Sequence, residues 1–349
     1  MKLFLRPVVA VLLLLAPCAL PAQTDTAYAS DPAFQKALQE ARLQEKQHQY
    51  SFALDQYKKA SKVAGGKCMA CLQKIVMIDE GLHDWKPALA AILQEEALAS
   101  TPIERSLAYA EHANILIGQA GDKPKPEPLK QAHALYQQAI EAYPHNISAQ
   151  FQDGKVLTMM GDNEHAKLAF ADCAKNCSPK DPSRVRAQHF AENPELSLHK
   201  MAPAFEVTAL DGTRFNPDTM RGRVVLIDFW ATWCGPCNAA LPELKQIAKK
   251  FKDEPLTIIS VSWDKDEKAW KEFIGRNEMT WTQYRDADHK LSDRFEVQSI
   301  PHYFTIDSDG VLTAEMVGSD SNVESKIKKL IAKAKEAQKL QPQVAQNER

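Results

Sequence analysis

The hydrophobic pattern of this chain changes period once, near Met201, and that change constrains the fold more than any other feature. From Ala33 to about Asn176 leucine, alanine, glutamine and lysine dominate and almost no strand signal is present; these are strong helix formers. Beyond Met201 apolar runs alternate with helical stretches. Val224–Phe229 is interrupted only by Asp228 and suits a central buried strand. Leu256–Val261 predicts a second strand, Tyr303–Ile306 and Val311–Val317 flank an Asp309-Gly310 turn, and Phe205–Leu210 with Asp211-Gly212 predicts a hairpin. Helical spacing occupies Asn238–Phe251, Glu267–Arg276 and Lys326–Lys339, the last with Ile327, Leu330, Ile331 and Ala334 on one face. Pro179, Pro182 and Pro194 mark 178–200 as a linker with a short helix at Ser183–Ala191. The expected organisation is an all-helical domain over 33–177, the linker, an α/β domain over 201–337 and a polar tail over 338–349.

The start of the chain speaks to compartment. Lys2 and Arg6 precede the apolar run Val8–Leu15, and Ala16-Pro17-Cys18-Ala19 leads to small residues near Ala22. A basic start, a short apolar stretch and small residues at the end make a secretory signal peptide over 1–22. The run is too short for a transmembrane helix, which needs about 20 apolar residues, and Pro17 disfavours lipid anchoring at Cys18. The chain is therefore expected to be exported and periplasmic, with no membrane span after signal removal. There disulfides persist, and six cysteines remain, in three close pairs: Cys68/Cys71, Cys173/Cys177 and Cys234/Cys237. The 43 basic and 45 acidic residues leave a net charge of −2, without the basic excess of a nucleic-acid binder.

In the helical half, small residues recur. Ala53 and Ala88 stand 35 apart and Ala132 and Ala166 stand 34 apart, while Lys123-Pro124-Lys125-Pro126-Glu127-Pro128 lengthens the interval between the two sets. On these residues, with Gly154, Gly161 and Asp162, the segment resembles the tetratricopeptide repeat family in about four degenerate units. The resemblance implies helical hairpins, each burying a face on the next, and a groove for protein partners. An unspecialised helical bundle is the competing reading. Cys68-Met69-Ala70-Cys71 opens the second hairpin; Leu72 excludes a haem-attachment motif, and a zinc site shared with Cys173 and Cys177 would join units two repeats apart. Bridges Cys68–Cys71 and Cys173–Cys177 are sterically possible, and buried thiols in small-residue slots are equally so.

Asp228-Phe229-Trp230-Ala231-Thr232-Trp233-Cys234-Gly235-Pro236-Cys237 joins a buried strand to an amphipathic helix. Cys234 is expected in the first helical turn, where unpaired N–H groups and the helix dipole favour a thiolate. A thiol pKa drop of ~1.5 is worth ~2 kcal/mol, whereas a helix terminus supplies ~0.3–1 kcal/mol, so direct hydrogen bonds to the sulfur must supply the rest. Cys237, one turn in and more buried, would resolve the mixed disulfide. Gly235-Pro236 would permit a tight helix entry. A carboxylate at Asp228, inside an apolar strand, needs a partner or a raised pKa.

This motif is similar to the thioredoxin active site, and 201–335 resembles exported thioredoxin-like reductases of the TlpA/ResA type, which serve cytochrome c maturation and related pathways. The resemblance implies an α/β thioredoxin fold and a thiol–disulfide oxidoreductase, a reductase of protein disulfides. It implies Cys234 and Cys237 as a catalytic dithiol that forms a disulfide, and Asp228 as the buried group that takes the proton from Cys237. Trp233, Gly235, Pro236, Ile300 and Pro301 would contact the substrate chain, Pro301 through a cis peptide beside the dithiol, and His302 could tune the site. No cofactor and no metal are implied; the partners are proteins with thiols or disulfides and an upstream thiol donor. One position departs from the pattern: where such reductases often carry glutamate, three residues after the second cysteine, this chain has Ala240, and Glu243 follows a turn later. A second reading makes the repeats the working part and the thioredoxin domain accessory. A peroxiredoxin-type peroxidase is weakened because Ala231-Thr232-Trp233-Cys234 lacks the Pro-x-x-x-Thr/Ser-x-x-Cys spacing.

Overall fold

A computed structural model describes residues 27–179, 181, 183–318 and 322–347, with side chains to 339 in the last helix. The signal peptide and Cys18 lie outside the described residues. The chain forms two compact units that divide between Met160 and Gly161.

The first unit is helical: α1 (Pro32–Lys46), α2 (Tyr50–Val63), α3 (Met69–Gly81), α4 (Trp85–Leu98), α5 (Pro102–Ala120), α6 (Pro126–Ala142) and α7 (Ile147–Met159), each packed on the next. The spaced alanines explain the close packing. Ala53, Ala88 and Ala132 are fully buried in the first halves of α2, α4 and α6, and Ala60 and Ala139 are fully buried about two turns later in α2 and α6. Methyl-sized side chains there let adjacent helices interlock without voids. The Lys123–Pro128 insertion spans the end of the α5–α6 connection and the start of α6: Pro126 and Pro128 lie in the first turn of α6, where a missing N–H costs nothing.

The second unit begins with α8 (Asn163–Asn176) and α9 (Ser183–Glu192), followed by a 3-10 turn, Pro194–Leu198. The short helix expected at Ser183–Ala191 is present as α9, within the stretch read as a linker, and that stretch lies inside the second unit. Phe170 of α8 meets Phe190 of α9 edge-on at 5.2 Å, and Arg186 of α9 pairs with buried Asp218 through two bonds of 3.0 and 3.1 Å. Proline spacing suggested a connector, but these side chains fasten α8 and α9 to the α/β part of the unit.

That part holds a hairpin, β1 (Val207–Thr208) and β2 (Arg214–Phe215), and a five-stranded sheet of β3 (Val224–Trp230), β4 (Leu256–Ser262), β5 (Thr282–Arg285), β6 (His302–Ile306) and β7 (Leu312–Val317). The order is β5-β4-β3-β6-β7; β3, β4 and β5 are parallel, and β6 is antiparallel to both β3 and β7. Helices α10 (Gly235–Lys250), α11 (Glu267–Arg276), α12 (Lys290–Arg294) and α13 (Val323–Asn347) complete the unit. This is the thioredoxin fold behind a helical N-terminal region. Strand alternation sorts the core: Val225, Ile227, Phe229 and Phe304 pack with Phe295 and Leu291 on one face. Val224 and Leu226 pack with Leu244 and Ile247 of α10 and Ile327 and Ile331 of α13 on the other. The polar stretch forming β5 and the five-residue α12 carried no periodic signal. The predicted hairpin strand shortens to two residues, and α13 runs beyond Lys339 to Asn347.

Candidate active site

Central strand β3 runs out at Trp230, and the chain turns through Ala231-Thr232-Trp233 into α10, so the dithiol sits at the carboxyl end of the parallel strands. Buried Asp264 holds that turn: it accepts from the Thr232 amide at 2.9 Å, the Thr232 hydroxyl at 2.5 Å and the Ser262 hydroxyl at 2.6 Å. The Asn238 side chain closes it from the helix, donating to the Thr232 carbonyl at 3.0 Å.

Cys234 caps α10 and is disulfide-bonded to Cys237. The Cys237 amide donates to the Cys234 sulfur at 3.2 Å, which is the direct hydrogen bond that the helix terminus alone could not replace. Two expectations change here. Cys237 is not the more buried sulfur-bearing residue, at 6% exposure against 5% for Cys234; position in the helix, not burial, distinguishes them. A Cβ on Gly235 would meet nothing within 4 Å, and its φ is outside the left-handed region. Glycine is therefore not sterically required for the helix entry, while Pro236 sits where its lost N–H is free.

Asp228 lies on β3 between β4 and β6 and is 3% exposed. Burial raises its pKa to about 7 against the opposing pull of the Ser260 hydroxyl, which donates at 2.7 Å. Ser260 stands directly opposite Asp228 in the parallel register, and its oxygen accepts from the Trp281 indole at 2.8 Å. A cleft lined by Asp228, Cys237, Ala240, Leu244, Met279 and Tyr303 joins the carboxyl to the dithiol. Ala240 thus stands at the cleft wall. Glu243 does not line it, though its charge and that of Asp228 help burial push the Tyr303 hydroxyl pKa up.

Trp233 is 65% exposed beside the dithiol. Ile300 packs against the cluster of Trp230, Ala231, Cys234 and Cys237, and the Ile300–Pro301 peptide is cis. His302 belongs to the opposite sheet face from Asp228: its ring stacks on Phe304 at 4.7 Å and its Nε2 lies 3.0 Å from Glu315. Ser260, Asp264, Trp281 and Tyr303 escaped the sequence reading. The one available signal was Ser260 and Ser262 inside an otherwise apolar run. The Cys173/Cys177 pair is not bridged; both thiols are buried, and burial raises their pKa values. Cys68 and Cys71 are bridged. Among the described residues no three His, Cys, Asp or Glu side chains gather for a metal.

Residues 198–331 match the Redoxin family. Thiol-disulfide oxidoreductase ResA of a Bacillus cereus strain is 30% identical over 132 residues, covering 38% of this chain and 76% of that protein. ResA of Bacillus subtilis (strain 168) is 26% identical over 130 residues, covering 37% and 73%. Among solved structures, the thioredoxin domain of a thiol-disulfide oxidoreductase from Bacteroides vulgatus shares 27% identity over 38% of this chain and 96% of that one, with a TM-score of 0.35. The Redoxin and ResA matches fall on the unit that carries Cys234 and Cys237, and by its 30% identity to ResA over 76% of that protein the chain belongs to the ResA-like family of thiol-disulfide oxidoreductases.

Proposed function

We propose that this oxidoreductase reduces disulfides of exported proteins, with Cys234 as nucleophile, Cys237 as resolving thiol and Asp228 as the group that handles the buried proton. The observation that carries the reading is the cleft shared by Asp228 and Cys237, with the carboxyl poised near neutrality. The Cys234 thiolate, stabilised by the helix terminus and the Cys237 amide, attacks a substrate sulfur. An S–S bond to Cys234 forms and the substrate disulfide breaks, its second sulfur leaving as a thiolate that takes a proton. Asp228, accepting the Cys237 proton, lets Cys237 attack the Cys234 sulfur and release the reduced substrate. A nearby carboxylate also disfavours the Cys234 and Cys237 thiolates, which shifts the couple towards the disulfide and makes the dithiol a better donor of electrons.

Trp233, Gly235, Pro236, Ile300 and Pro301 would form the surface met by the substrate chain; the exposure of Trp233 and the packing of Ile300 against the dithiol cluster support this. Residues 1–22 would direct export to the periplasm and the tetratricopeptide-like helices would recruit the protein partner, in a domain separate from the thioredoxin domain over 201–337. Cytochrome c maturation is one pathway needing such a reductase, and Ala240 leaves this cleft with a single carboxyl where reductases of that pathway often carry two. Stopped-flow kinetics test the roles. Asp228→Asn should slow resolution of the mixed disulfide by about 100-fold while barely changing the first attack, because the two steps move different protons. Unchanged resolution would remove Asp228 from the mechanism.

A further inference from the structure

The helical unit holds a second Cys-x-x-Cys in the same local geometry as the catalytic one. Cys68 caps the 13-residue helix α3 as Cys234 caps α10. The Cys71 amide donates to the Cys68 sulfur at 3.2 Å, the distance found between Cys237 and Cys234. The Cα–Cα separations are 5.2 and 5.3 Å, and Cys68 is 4% exposed where Cys234 is 5%. The bridge is poorly suited to hold the fold together. It joins two residues of one helical turn, ties no helix to another and closes about the smallest loop a disulfide can, so it removes little freedom from the unfolded chain. What the arrangement does supply is a leaving group: a thiolate at Cys68 would be stabilised by the Cys71 amide and by the N-terminus of α3. Cys173 and Cys177, spaced by four within and just past α8, have neither a place at a helix N-terminus nor a bridge.

We propose that Cys68–Cys71 is a second redox-active disulfide, reduced by a protein dithiol of the thioredoxin type. A thiolate of the donor attacks the Cys68 sulfur; the donor–Cys68 bond forms, the Cys68–Cys71 bond breaks, and Cys71 leaves with the electron pair and takes a proton. The donor's second thiol then loses its proton and attacks the donor sulfur of the mixed disulfide, forming the donor's own disulfide and releasing Cys68 as the stabilised thiolate. Two electrons enter the helical unit and the donor is oxidised. Tyr28 guards the bridge: its ring packs against the cluster containing Cys68 and Cys71, and its hydroxyl donates to the Lys67 carbonyl at 3.4 Å.

Full-length protein, oxidised and titrated with thioredoxin, thioredoxin reductase and NADPH, tests the proposal by stoichiometry. Wild type should consume two equivalents of NADPH per chain, the Cys234→Ala/Cys237→Ala variant one, and that variant carrying Cys68→Ser/Cys71→Ser none, with far-UV circular dichroism unchanged on reduction. Tyr28→Ala in the Cys234→Ala/Cys237→Ala background should raise the rate of NADPH consumption several-fold. Consumption of one equivalent by wild type and none by Cys234→Ala/Cys237→Ala would overturn the proposal. So would an equivalent that survives Cys68→Ser/Cys71→Ser, or loss of helicity when Cys68–Cys71 is reduced, which would make the bridge a structural staple.

Discussion

The helix start at Cys68 and the helix start at Cys234 are alike to within about a tenth of an ångström in bridge span, yet their surroundings differ in every respect that governs proton transfer. Behind Cys234 stands a five-stranded sheet with a buried carboxyl on its central strand, a serine across the register and a cleft leading from one to the other. Behind Cys68 stand alanines and aromatic rings: Ala37, Ala60, Ala64, Phe34 and Tyr28. Capping a helix with cysteine and amide is a local act, available to any Cys-x-x-Cys that starts a helix. Delivering a proton acceptor to the second cysteine is not local, because the group must come from another element and be kept dry. The comparison separates the helix-start geometry, which both units have, from a buried carboxyl opening into the same cleft as the second cysteine, which Asp228 presents to Cys237.

The sharpest way to break the comparison is to remove a nucleophile. Cys234→Ser should lower insulin-disulfide reduction by at least about 1,000-fold, whereas Cys173→Ser should leave it within about twofold, since that thiol is buried and unbridged. Residual turnover in Cys234→Ser near the wild-type rate would move the chemistry elsewhere in the chain.

Asp228 sharpens it through stability. Its folded pKa, about 7, lies above the ordinary carboxylate value of 3.8. Below pH 3.8 both folded and unfolded chains hold the proton and no penalty exists. Between about 4 and 7 only the unfolded chain ionises, so wild-type stability falls, and above 7 the full penalty of about 4 kcal/mol is present. Asp228→Asn should therefore be more stable than wild type at a pH of about 7.5 and lose that advantage as the pH falls to about 4, read as melting temperature across the range. A constant difference would mean the carboxyl is not kept from ionising by the fold.

The alanines of the helical unit allow a smaller perturbation. Ala88→Leu forces a branched side chain into a fully buried position on α4 and should cost about 1–3 kcal/mol. The loss should appear in the unfolding of the helical unit and leave the Cys234/Cys237 redox couple unshifted. A matching shift in that couple would show that the two units are energetically joined. The smallest effect is expected from cutting the chain at the division itself. Residues 161–349, carrying α8 and α9 with the sheet, should keep insulin reduction within about threefold of full length, because Phe170, Phe190, Arg186 and Asp218 find their partners inside that fragment. A fragment starting at 200 would expose Asp218 without its arginine and should melt lower.

Much of this protein is written in local pattern. Helical spacing of alanines, the apolar run Val224–Phe229 broken only by Asp228 and a Cys-x-x-Cys at a helix start are short-range signals, so the helical first half, the central strand and the dithiol were legible from residues 33–335 alone. Asp228 also stood out, since a carboxyl in an apolar run must be explained. The rest depended on which residues meet across the fold. Ser260 matters because parallel register sets it against Asp228, and Asp264 because the chain after β4 returns to the turn after β3. His302 looked like a neighbour of the site in sequence, and strand alternation sent it to the other face. Cys68/Cys71 and Cys173/Cys177 read alike as close pairs; the first starts a helix and is bridged, whereas the second lies at a helix end as two buried thiols. Likewise, prolines suggested a linker where an arginine–aspartate pair and two phenylalanines bind α8 and α9 to the α/β unit. Local sequence sets backbone preference within one turn or strand, whereas burial and partner choice are properties of contacts between distant residues, and only the folded chain decides those.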